Sequence, residues 1–87
     1  MTKLNLYQKC IAKWGATRQI RQAMGECGEF IADAQNYTRN KVTLEKMMGE
    51  AVDVHIMMMQ IRELDPKLFD RLKQETFERI EEKVSVK

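Results

Sequence analysis

"IRQAMGECGEFIADAQ", residues 20–35, decides how the rest of this chain is read. Ile20, Ala23, Met24, Cys27, Phe30, Ile31 and Ala34 recur at the i, i+3, i+4, i+7 spacing that lays one apolar stripe along an α-helix. Gly25 and Gly28 interrupt the run, and each costs about 1 kcal/mol against alanine in a helix interior. Beside them stand Glu26 and Glu29, three positions apart and so on adjoining positions of one face. The pattern predicts a helix over about residues 17–37.

The same wording returns downstream as "MGEAVD", residues 48–53. Leu44, Met47, Met48, Ala51, Val52, Val54, His55, Ile56, Met58, Met59 and Ile61 cover well over half the circumference of a helix placed over residues 44–64. A helix apolar on most sides is expected to be central and packed by several neighbours. Its methionines are expected to fill core space, Cys27 to be a small buried hydrophobe, and His55 to be packed and hydrogen-bonded. "NYTRNK", residues 36–41, reads as the turn between the two helices, with Thr43 as the cap of the second. Lys46 falls where a capping box would want Glu or Gln, so that box is incomplete. Outside this pair, an opening helix is expected over residues 5–14, stopped by Gly15. Asp65 and Pro66 supply the N-cap and first turn of a fourth helix running to about residue 82. Residues 83–87 read as a frayed tail. No strand-like alternation or low-complexity segment occurs, so the expected fold class is all-α, a four-helix, bundle-like single domain over residues 1–87.

Composition narrows the function classes. Eighty-seven residues form a marginal core, and chains of this size often gain stability by oligomerising. Fifteen basic and thirteen acidic residues, spread along the chain, leave a formal charge of +2 and no clustered footprint for nucleic acid. Cys10 and Cys27 form no motif and read as reduced thiols, which with the absence of an apolar leader or span predicts a cytoplasmic protein with no membrane partner.

The carboxylates carry the chemistry. Glu50 and Asp53 repeat the spacing of Glu26 and Glu29, and at 100° per residue each pair stands at the same angle to its own apolar stripe. A short turn makes the two helices antiparallel, so the mid-helix pairs come level and four carboxylates face one space. Four like charges at close range need a cation, and an oxygen-only donor set selects a hard one, Mg2+ before Mn2+ or Ca2+. Gly25, Gly28 and Gly49 remove bulk beside the acids and are expected to admit a ligand or a helix close to the backbone. Asp33 and Glu45 lack such partners and read as surface charges.

At these residues the chain resembles the MazG-like, all-α nucleoside triphosphate pyrophosphohydrolases, whose signature is ExxE on one helix and ExxD on the next. Here these are Glu26-Cys27-Gly28-Glu29 and Glu50-Ala51-Val52-Asp53, with 20 residues between them. "KWG" followed by Gln19, "GECGEFIADAQ" and "GEAVDVHIMM" extend the resemblance over about residues 11–64. Many members carry a further glutamate where this chain has Gly25, which puts activity level or substrate in question rather than metal binding. The resemblance implies a homodimer or homotetramer that hydrolyses a (d)NTP to the monophosphate and pyrophosphate. Glu26, Glu29, Glu50 and Asp53 would be its magnesium ligands and catalytic carboxylates, one of them also orienting or deprotonating the attacking water. It further implies phosphate contacts from Lys73, then Arg79, on the following helix, and a base pocket bordered by Trp14 and Gln19. Phosphoribosyl-ATP pyrophosphohydrolase, with a similar acidic motif, is the alternative enzyme. A catalytically idle helical oligomer serving as an interaction module is the alternative class.

Overall fold

The computed structural model describes residues 2–86. Four helices follow one another: α1 (Lys3–Trp14), α2 (Ala16–Thr38), α3 (Leu44–Arg62) and α4 (Pro66–Ser85), with no strand among the described residues. Each boundary has a local cause. Thr2, Thr43 and Asp65 accept hydrogen bonds from the backbone N–H groups of Asn5, Lys46 and Leu68, satisfying donors that the first turns of α1, α3 and α4 leave free. Gly15 ends α1 and opens α2 at φ 84°, a conformation that a residue with a Cβ rarely adopts, so the chain bends there without a linker. Asn40 takes φ 58° in the turn after α2, which asparagine tolerates better than most residues. The fourth helix runs to Ser85, past the expected fraying point, and residues 1 and 87 lie outside the described residues.

The body is a helical hairpin with α1 laid against it. α2 and α3 supply most of the helix–helix contact, and α1 touches both. Gln19 with Gln60, Glu29 with Glu50 and Asp33 with Lys46 share one antiparallel register, reflected about the turn between Arg39 and Asn40. The buried apolar side chains among the described residues are Tyr7, Ala23 and Met57, one from each helix of the body. Ala23, 3% exposed, lets α2 approach α3 closely. Beside it the Gln19 amide donates to Gln60 Oε1 at 2.6 Å, a buried pair that satisfies two polar groups which would otherwise destabilise the core.

Two expectations change. α3 is not enclosed: Leu44, Met48, Val52 and Ile56 form an exposed ridge along it, and His55 is exposed rather than packed. Only α1 and α2 are available to cover α3 within one chain, and a helix apolar all round needs more neighbours than two. Cys27 is likewise half-buried, facing the same open side. Second, α4 stands off the body. It has no buried residue and makes no substantial helix–helix contact. Its angle is set at the joint, where Arg62 grips Asp70 with two parallel bonds, Nε to Oδ1 at 2.9 Å and Nη2 to Oδ2 at 2.7 Å.

Candidate metal centre

The hairpin register delivers three of the four motif carboxylates to one place. Glu26, Glu29 and Glu50 each offer a carboxylate oxygen within 4.8 Å of the other two. Two come from successive turns of α2 and one from the level turn of α3, as the matched spacing predicts. Asp53 lies one turn further along α3, exposed, outside this trio but near enough for its charge to act on Glu29. With Thr43, Glu45, Lys46, Gly49 and Glu50 it lines an open groove on the α3 side.

The electrostatics are those of a crowded anion site. The charge of Glu26, then that of Glu50, holds the Glu29 carboxyl above its ordinary range, with smaller contributions from desolvation, a shared hydrogen bond with Glu26, and Asp53. One oxygen each of Glu26 and Glu50 is engaged. Gln22 Nε2 donates to Glu26 Oε1 at 3.2 Å, and Lys46 Nζ donates to Glu50 Oε1 at 3.1 Å. The second oxygens, Glu26 Oε2 and Glu50 Oε2, are buried and have no hydrogen-bond partner. A buried carboxylate oxygen without a donor is costly, and a hard cation among these three groups would satisfy both at once. The donor set is that of a hard divalent cation: all oxygen, several negative charges, with room for further ligands on the open side.

Lys46 and Asp33 belong to this site although neither stood out in the sequence. Lys46 Nζ bridges Glu50 and Asp33 Oδ2, at 3.1 Å to each, and its pKa is raised chiefly by the hydrogen bond to Asp33. Asp33, read as a surface charge, is half-buried one turn beyond Glu29. The available signal was spacing: Asp33 follows Glu29 by four on α2, and Lys46 precedes Glu50 by four on α3.

The remaining candidates are dispersed. Trp14 is partly exposed, with Lys13 Nζ 5.2 Å from its ring centroid, and lines a groove with Gly15, Thr17, Arg18, Arg21 and Gln22. Gln22 lines that groove and also donates to Glu26, so groove and carboxylates adjoin through one residue. Arg18 and Arg21 bring positive charge to the groove and were not singled out in the sequence. Gln19 faces inward to Gln60 rather than into the groove. Lys73 and Arg79 are exposed on α4, Lys73 beside Asp70 and Arg79 donating to Thr76, and no bond joins either to the motif carboxylates. A Cβ added at Gly25, Gly28 or Gly49 would meet nothing within 4 Å, so no close approach within the chain explains these glycines.

No protein-family model, curated protein or solved structure matches this chain.

Proposed function

We propose that the chain is a magnesium-dependent nucleoside triphosphate pyrophosphohydrolase that converts a (d)NTP to the (d)NMP and pyrophosphate. The observation that supports this reading is the Glu26, Glu29, Glu50 trio with its two orphaned buried oxygens, a donor set that a hard cation would satisfy. Glu26, Glu29 and Glu50 would hold the ion, with Asp53 completing the set from the next turn of α3. A magnesium ion held there would supply charge neutralisation for the triphosphate and for the leaving pyrophosphate. A carboxylate of the cluster orients the attacking water and accepts its proton. The groove that adjoins the cluster at Gln22 suits the rest of the nucleotide, since its lining includes the Trp14 ring, able to stack on a base, and the charged Arg18 and Arg21. Lys73 and Arg79 remain candidates for phosphate contact, from an α4 brought over the site by another copy of the chain.

Product analysis tests the bond that is cut. Phosphorus NMR at early times is expected to show monophosphate and pyrophosphate growing together, with no diphosphate intermediate. Glu29→Gln and Asp53→Asn are each expected to lower the rate by orders of magnitude while helical circular dichroism is unchanged. Diphosphate with orthophosphate would mean that the reaction class is wrong. The apolar faces left open on α3 and α4 favour a second reading, a non-catalytic helical interaction module. That reading gains if no nucleotide, including phosphoribosyl-ATP, is turned over with magnesium present.

A further inference from the structure

We infer that Gln19 and Gln60 are positioning residues, whose buried amide pair selects the one helix register in which the motif carboxylates converge. The link to metal binding rests on the cation site proposed above, whereas the link to register does not. Two side-chain hydrogen bonds cross the seam between α2 and α3 among the described residues. They are Gln19 to Gln60 at 2.6 Å and Lys46 to Asp33 at 3.1 Å. The glutamine pair is remote from the cluster, since Gln19 stands about 15 Å along α2 from Glu29.

The other features of the hairpin tolerate a slip of one turn. The buried apolar residues of the two helices, Ala23 and Met57, are one small and one flexible, and neither keys the helices to a single axial position. The connection, residues 39–43, reaches about 16 Å when extended, more than the roughly 8–10 Å between packed helices. Charge favours the slip. Sliding α3 about 6 Å away from the turn brings Lys46, in place of Glu50, level with Glu29. That exchanges repulsion for attraction, because the charges of Glu26 and Glu50 bear on Glu29 in the observed register. The Lys46–Asp33 bond is no safeguard, since its lysine is more than half exposed and merely changes partner. The glutamines have no such alternative. In the slipped register Gln19 comes level with Ile56 and Gln60 with Gly15, neither of which has a polar side chain. Each amide then loses its partner, and a buried amide without one is costly. The pair thus acts against the wrong register, as a single polar residue does in the seam of a coiled coil.

Manganese binding and an interhelix distance test this on the full chain. Gln19→Met with Gln60→Met removes both amides and keeps unbranched side chains of similar size. Helical circular dichroism is expected to be kept. Mn2+ affinity by EPR titration is expected to fall at least about tenfold, as when metal ligands lose their orientation. Spin labels at the exposed Gln35 and His55, with Cys10 and Cys27 replaced by serine, are expected to move apart by about 5 Å relative to the same labels without the methionines. An unchanged distance would overturn the inference, whatever the affinity does. A shifted distance with full Mn2+ affinity would overturn the link to the carboxylates. A wild type that binds no Mn2+ counts against the cation site alone, and the distance still decides the register. If the double variant loses its helices, Gln60→Met alone takes its place under the same two measurements.

Discussion

Lys46 places an ammonium at the edge of the proposed cation site, bonded to Asp33 and Glu50. Its single charge, shared between Asp33 and Glu50, offsets part of the repulsion and leaves Glu26 Oε2 and Glu50 Oε2 unmet. Glu29 registers the remainder. Its pKa in the folded chain is raised above the ordinary 4.5, so its contribution favours folding below that value and is lost as pH rises through the raised one. At neutral pH the ionised Glu29 therefore opposes folding through its repulsion with Glu26 and Glu50. Magnesium or manganese is expected to raise the melting temperature, by the equivalent of about 2.7 kcal/mol at a hundredfold excess over Kd. The rise should fade as pH falls toward the carboxylate range, and Glu50→Gln should abolish it. A melting temperature indifferent to both ions, with calorimetry also silent, counts against the site. The trio was legible from the sequence because matched i, i+3 spacing on an antiparallel hairpin forces the carboxylates level. Asp33 and Lys46 lie in the same register one turn nearer the hairpin turn, but single charges on two helices read first as solvated surface residues.

At the scale of elements, the helix boundaries were readable because each rests on a local residue: Gly15, Thr43, Asp65 and Pro66. The environment of α3 was not. Its pattern says that nearly every side wants cover, and says nothing of whether the same chain provides it. The glycines are a related case. Since nothing in the chain approaches Gly25, an alanine there keeps the helix and removes the backbone's extra freedom when unfolded. Gly25→Ala is expected to stabilise the protein by about 0.5–1 kcal/mol in urea denaturation. A net loss would reveal an outside body pressed against that turn of α2. The α3–α4 joint offers a pH test. Asp70 is held below its usual range chiefly by its hydrogen bonds to Arg62, so its contribution is present above the ordinary value of 3.8 and is lost as pH falls through the depressed one. Asp70→Asn should lower the melting temperature at neutral pH, modestly because the pair is half open to solvent, and the gap from wild type should close in strong acid.

For the whole molecule, the buried apolar set among the described residues, Tyr7, Ala23 and Met57, is slight for a chain of this length, and a large apolar surface lies outside it. The joint between α3 and α4 then acquires mechanical meaning. A 20-residue helix is about 30 Å long, so each degree of error at its base displaces the far end by about half an ångström. Arg62 and Asp70 are thus the bearing of a lever. A tilt too small to disturb either side chain's neighbours would carry Ile80 off any surface it was meant to meet. Where the outer end of α4 lies is set at a joint about 30 Å away from it.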